Sequence, residues 1–585
     1  MKTIFTRHLV AASTFLALMP AHAVRATTES GVEIDFNSTL SFGAQVRLGK
    51  PSRETVGNDN RGSVPTSARL GALLNGPGGE AAANPDFNFL NGDDGNLNYR
   101  RGDVVSAPLK GNHEFGLKTP DGWRALVRAS WLKDFKAGDT RRTPLSGEAK
   151  DIAVTNWTWL DAWVSKDLKL GDSNATVRVG NQVLSWGEDI FIVGGINQIN
   201  AFDLRKLRTP GAQVKEILRP APMISLNAGV ADGLSVEAYY QWKWNAFRFD
   251  PVGTFFSGAD VVGAGQRPAY IPSSVLGEQP GTFGDTGSAI ADGVNVSPFE
   301  RDKLPPKGKQ YGLAARFKPK GMDTEFAFYY QRYHDKLPFT TLFTDPAYLA
   351  SNVAAIGYYN EYGKDKDLVG ASFNTKVGPV ALGGEISFRP RDSVAIDGSV
   401  PLAGRYSIFD SANADANGRA TVRGYVEEKK VQAHLTALYF TEVNSWTGAL
   451  VKALGAAEGT LLAEVAITRY PSLKVGTVPY LIFPSYESPT KTSWGYAMEL
   501  DLSYPRVWGS DWNLTQVTVF THDVGGISPN TLPFVKGRKS LFVGLNFDKD
   551  ATWKAQFGYT AFFGGGLSNI IRDRDNVSAS LSYSF

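Results

Sequence analysis

The residues best suited to chemistry are histidines beside acids. His334-Asp335 and His522-Asp523 each offer an imidazole and a carboxylate, the groups with which a hydrolase activates water. Adjacent residues of an extended segment point to opposite sides, so neither dipeptide is a dyad by itself. Beyond the first 23 residues the histidines are His113, His334, His434 and His522, and no G-x-S-x-G, H-E-x-x-H or phosphate loop accompanies them. Asp93-Asp94-Gly95-Asn96 resembles the start of a calcium loop but lacks the glutamate that should close it, and reads better as a turn in a plug or exterior loop. With no cysteine there is neither a disulfide framework nor a thiolate metal site. The sequence therefore leads us to expect no catalytic residue, no metal and no cofactor, with a surface hydrolase as the enzymatic alternative.

A different chemistry, selection by charge, has more candidates. Between Trp186 and Arg219 the chain sets Glu188, Asp189, Asp203, Arg205, Lys206, Arg208, Lys215 and Glu216 among glycines and asparagines. Such a loop can fold inward and narrow a pore, or stand outside as a solvated loop. Elsewhere Arg124, Arg128, Arg178, Glu237, Lys243, Arg316, Glu325, Glu385, Glu464, Glu499, Asp501 and Lys554 lie in alternating stretches, on the parity opposite the apolar residues. Charges of both signs on the inner face of a barrel either line water or pair with one another and rigidify a plugged lumen.

The elements that must position these groups are strands. Asn576 to Phe585 places Val577, Ala579, Leu581, Tyr583 and Phe585 on one face and Asn576 with four serines on the other. A terminal aromatic on such a strand suits barrel closure at a membrane interface, and Tyr583 and Phe585 are the expected assembly signal; the alternative is an edge strand of a periplasmic β protein. Lys2 and Arg7, the apolar run Leu9 to Met19 and Ala21-His22-Ala23 read as a signal peptide over residues 1–23. No apolar run is long enough for a spanning helix. A mean hydropathy of −0.20 with 61 glycines and 12% aromatics fits a wall with one greasy and one wet face. A net charge of +3, without a basic run, gives no sign of nucleic acid.

Gly31 to Leu48 alternates as a first strand, and hairpins then recur across Pro120-Asp121-Gly122, Asp232-Gly233, Pro319-Lys320-Gly321, Gly378-Pro379 and Asp548-Lys549-Asp550. The count is about eighteen strands, with sixteen as the alternative. Short turns alternate with long loops, as a barrel with both ends in the periplasm requires. Glu442 to Thr460 is the exception, long where a short turn is due. Around Trp157, Trp159, Asp161 and Trp163 both parities are apolar and the faces cannot be assigned. The expected fold is an all-β, transmembrane antiparallel β-barrel over 24–585, with an inserted loop or plug near 49–110.

Asp93 to Asn98, Trp186-Gly187-Glu188, Gly195 to Asn200, Pro210-Gly211, Glu216, His522 to Pro529 and Asp573-Arg574-Asp575, in that order, resemble an outer-membrane barrel family known as domain of unknown function thirteen-oh-two. The resemblance spans nearly the whole mature chain and implies an outer-membrane location in a Gram-negative cell. It also implies partners: a periplasmic lipid-carrier-like protein and an inner-membrane efflux-type transporter, besides outer-membrane lipid and the barrel assembly machinery. The expected function is a porin-like channel, or an export or uptake route, for a small or amphiphilic, lipid-like solute. A closed structural or docking barrel serving a periplasmic transport system is the alternative. In the channel reading Arg124, Arg128, Arg178, Glu237, Glu325, Glu385, Glu464, Glu499 and Asp501 line the pore. Glu188, Asp189, Asp203, Arg205 and Arg208 then belong to a constriction loop.

Overall fold

The computed structural model describes residues 24–52, 55–56, 91–171, 173–271, 295–348, 355–400, 403–441, 445–481 and 487–585. The signal peptide expected over 1–23, and most of the plug region expected near 49–110, lie outside the described residues.

Eighteen antiparallel strands close into one barrel. They are β1 (Glu33–Arg47), β2 (Pro108–Lys118), β3 (Trp123–Asp134), β4 (Thr155–Leu170), β5 (Ser173–Gln182), β6 (Ala221–Ala231), β7 (Leu234–Gln241), β8 (Gln310–Phe317) and β9 (Glu325–Tyr333). The second half comprises β10 (Lys366–Val377), β11 (Val380–Ala395), β12 (Tyr425–Phe440), β13 (Glu458–Arg469), β14 (Thr492–Tyr504), β15 (Asn513–Gly525), β16 (Lys539–Lys549), β17 (Trp553–Phe563) and β18 (Asn576–Ser584). Each pairs with its neighbour in sequence, and β18 closes on β1 with Phe42 opposite Leu581 and Gln45 opposite Ser578. On the inner face of that seam Ser41 and Ser582 share a hydrogen bond of 2.8 Å, and Gln45 Nε2 donates to Asn576 Oδ1 at 2.9 Å.

The period-two pattern sorts the side chains in the opposite sense to a soluble protein. Phe42, Val127, Trp159, Leu313, Phe328, Ile386, Leu435, Phe557 and Leu581 are exposed on the outside, while Gln45, Lys110, Gln182, Gln241, Gln331, Glu385, Gln432 and Glu464 are buried inside. An exposed apolar exterior of this extent is stable only in hydrocarbon, so this is an outer-membrane barrel. Aromatic girdles bound the apolar band. Trp157, Trp242 and Trp494 mark the rim of the long loops. On the periplasmic rim Trp553 packs on Tyr583 at 4.6 Å, Tyr583 on Phe585 at 5.7 Å, and Trp508 on Phe547 at 5.7 Å.

The stretch without assignable faces is a register shift. Val127 pairs with Ala162 but Ala129 with Trp159, so Leu160 and Asp161 together oppose Arg128. Such a bulge inverts parity: Trp157 and Trp159 face lipid before it, Ala162 and Val164 after it, and Asp161 turns inward onto Arg128 at 2.8 Å. The long exception at Glu442 to Thr460 holds a helix, Trp446–Ala453.

Candidate functional site

The connection from β5 to β6 does not stand outside the barrel. It folds into the lumen as a strap with two lobes. The first begins at Trp186, whose ring is buried against Tyr239 (β7) at 5.2 Å and Tyr329 (β9) at 5.7 Å, with Nε1 donating to Glu237 Oε2 at 2.8 Å. The chain then runs along the inner wall over β10 to β13, held by its backbone. Glu385 (β11) accepts from the N–H of Glu188 at 2.6 Å and of Ile196 at 2.8 Å. Glu464 (β13) accepts from three successive N–H groups, of Ile190, Phe191 and Ile192, at 3.2, 2.5 and 3.0 Å. Arg389 Nη2 returns the favour by donating to the carbonyls of Gly194 and Gly195, both at 2.6 Å. Glycine is needed here for two reasons: Gly187 and Gly194 have φ of +94° and +104°, and a Cβ on Gly195 would collide with the Glu385 carboxylate.

Glu464 has a further partner. His434 Nδ1 lies 2.6 Å from Glu464 Oε1, and Gln432 Nε2 lies 2.8 Å from His434 Nε2. Because an amide N–H₂ can only donate, the ring carries its proton on Nδ1 and donates to Glu464. Oriented backbone dipoles and the His434 ring thus satisfy a carboxylate with no exposed side-chain surface.

The second lobe lies on the opposite wall, where Pro210 and Gly211 press on Gly43 and Ser41 of β1 and on Ser580 of β18. Here the fastening is ionic. Glu216 sits between Lys110 of β2 at 2.8 Å and Lys206 at 2.6 Å, and its side chain has no exposed surface. Burial alone would raise its pKa, but the two ammonium groups outweigh burial and hold it down to about 2. Asp203 pairs with Arg205 at 2.8 Å and Arg248 at 3.1 Å, and Arg208 with Asp250 at 2.6 Å. The first lobe contains the converse group. Asp189 is raised well above its ordinary value by loss of hydration and by the charges of Glu385 and Glu464.

Among the expected wall charges, Glu385, Glu464 and Glu237 serve the strap, and Arg316 pairs with Glu237 at 2.6 Å and Glu325 at 3.4 Å. Arg128 is locked between Glu114 and Asp161, both at 2.8 Å. Arg124 pairs with Asp167, and the Arg178 guanidinium lies 4.2 Å over the ring of Trp163. Glu499 and Asp501, on the inward face of β14, are half-buried and have no ion-pair partner among the described residues. The strap's role was not legible in Gln432, His434, Arg389 or Lys110; the signal that points to it is the glycines Gly187, Gly194 and Gly195, which let the backbone come close to Glu385 and Gln432.

The His-Asp dipeptides form no dyad. His334 is buried, donating from Nε2 to the Gly308 carbonyl and accepting at Nδ1 from the Asp365 N–H, both at 3.0 Å. His522 packs edge-on against Tyr496 on the outer face, while Asp523 turns inward onto Arg538 at 2.7 Å. The Asp93 turn is helical over Asp94–Leu97, and its acids face Arg267 and Arg142 at 3.6 and 4.0 Å.

Above the strap lies a cavity of about 90 Å³. Its wall combines the rings of Tyr333, Tyr470 and Phe339 with Lys336, Arg389 and Lys430 and with Asp189, Asp335 and Asp392. Burial pulls Lys336 down to about 8 despite Asp335 beside it, and pushes Asp335 up.

The family model described as protein of unknown function DUF1302 matches residues 4–585, and the chain belongs to that family. No curated protein matches it. Among solved structures it is similar to OccAB3 of Acinetobacter baumannii, at 9% identity and a TM-score of 0.41 over 94% of this chain and 99% of that one. OccAB1 of the same organism gives 10% and 0.41 over 97% and 98%. OpdK of Pseudomonas aeruginosa, solved with vanillate, gives 8% and 0.37 over 94% and 98%.

Proposed function

We propose that this outer-membrane barrel is a channel for a small, amphiphilic solute, and that the β5–β6 strap is its constriction. The observation that carries this reading is the path of residues 186–216, which crosses from the β9–β13 wall to the β1, β2 and β18 wall inside a polar lumen. Charge and ring surfaces meet at the cavity above the strap, a combination suited to a solute with one charged and one apolar end. The cavity's 90 Å³ holds a few waters, whereas pockets for organic ligands run to roughly 300–1,000 Å³. On this reading the strap moves to let a solute through the cavity, and selection operates through pore width and lining charge without covalent chemistry. A periplasmic lipid-carrier-like protein and an inner-membrane transporter fit this reading as the route to or from the channel.

The same strap favours a second reading, a closed barrel whose task is to hold such a periplasmic partner. Single-channel recording in planar bilayers separates the two. The channel reading expects small, resolvable conductance in the parent protein and a larger one in Glu464→Gln, where the first lobe loses its charged acceptor. Silence in both would leave the closed barrel.

A further inference from the structure

The helix Trp446–Ala453 occupies a place that a channel does not need. It interrupts the periplasmic turn between β12 and β13, and it packs on the outside of the wall. Val451, with Ala456, is buried against Leu502, with Leu500 and Tyr504 alongside. Leu500 and Leu502 share the outward parity of Trp494 and Met498, both exposed to lipid. The seat is built for the helix. A Cβ on Gly459, opposite Leu502, would come 2.8 Å from Val451 Cγ2. Ser445 caps the helix by accepting from the Gly448 N–H at 3.0 Å, and Tyr439 Oη lies 2.6 Å from Thr447 Oγ1.

With Gly448 and Val451 against the wall, the opposite face is left bare, and it is apolar: Trp446 is 80% exposed, Leu450 55% and Leu454 54%, with Ala449 and Ala453 between them. A helix apolar on both faces is not designed for water.

We infer that this helix is an interfacial anchor, seated in the boundary between headgroups and acyl chains of the periplasmic phospholipid leaflet. Its bare face continues the lipid-facing belt at that rim, and Trp508, 86% exposed and stacked on outward Phe547, extends the same level in the next turn. The depth agrees. Leu502 is two residues from the end of β14, which at about 3.3 Å per residue places the helix roughly 5–7 Å inside the rim, within the 5–10 Å at which interfacial helices lie.

The chain has no cysteine, so a nitroxide on Leu450→Cys is unique. In liposomes of phosphatidylethanolamine and phosphatidylglycerol, oxygen collisions at this position should exceed those with a water-soluble nickel chelate several-fold. A label on Asp511→Cys, in the neighbouring turn, should show the reverse. Leu454→Cys repeats the measurement if the first variant fails to assemble. Dominant nickel collisions would overturn the proposal by placing the helix in water, open to a periplasmic protein. Low collision rates with both reagents would overturn it equally; dipolar broadening would then identify a second copy as the cover.

Discussion

Residues 186–199 hang from the barrel wall by backbone N–H groups that converge on Glu385 and Glu464, whereas residues 201–219 are fixed by ion pairs, with Glu216 wedged between Lys110 and Lys206. The first arrangement lets the wall supply the charge and the strap only dipoles. In the second the strap and wall exchange full charges. Each bond of the first lobe joins one charge to a dipole, whereas each contact of Glu216 joins two full charges. On the channel reading, the lobe over β11 and β13 is therefore the part expected to move, and the lobe over β1, β2 and β18 the part expected to stay.

The comparison is broken most sharply at Glu216. Glu216→Gln leaves Lys110 and Lys206 buried without an acceptor charge, at an expected cost of about 3–5 kcal/mol, read as a lower midpoint of heat-modifiable unfolding. Should that midpoint hold, the second lobe is not the fixed one.

Acid tests the same contact without mutation. Glu216 is held at about 2 against an ordinary value of 4.5, so its contribution is present above 4.5 and is lost as pH falls toward 2. The loss should amount to about 3 kcal/mol, and a urea-midpoint titration that stays flat between pH 5 and 3 would contradict it.

Glu464→Gln is a milder change, about 2 kcal/mol for weakened charge-assisted bonds to Ile190, Phe191 and Ile192. Its main readout is higher conductance, and an unchanged current would remove the first lobe from the constriction.

The first lobe should respond to pH with the opposite sign. Asp189 has a raised value, so its protonated form stabilises the lobe at low pH and that contribution is lost as pH rises through the raised value. Conductance should then increase with pH in the parent protein, and the rise should flatten in Asp189→Asn.

The smallest effect is expected below the strap, where Glu499 and Asp501 lack ion-pair partners among the described residues. Glu499→Gln with Asp501→Asn should lower cation preference by about twofold in reversal potentials and leave the unfolding midpoint in place. Arg128→Gln should do the reverse, because Arg128 is committed to Glu114 and Asp161.

Alternation is local, and it was legible. The parity of Asn576 to Phe585, the hairpin turns and the rhythm of long and short connections are consequences of a two-residue period facing lipid on one side and water on the other, and they give the eighteen-strand barrel without any distant contact. The second lobe was partly legible too, since Asp203, Arg205 and Arg208 declare themselves as charges in a loop. Three things needed the tertiary structure. At Trp157 to Trp163 one extra residue opposite Arg128 inverted the faces, which no periodicity within β4 could reveal. Glu385 and Glu464, read from the sequence as pore lining, serve the strap instead, through partners far off in the chain: Ile190 and Glu464 are 274 residues apart. The Trp446–Ala453 helix read only as an overlong turn, because its seat, Gly459 and Leu502, is made by two neighbouring strands. A period fixes which way a side chain points; which chain segment meets it there is set by closure of the ring, and only the folded barrel decides that.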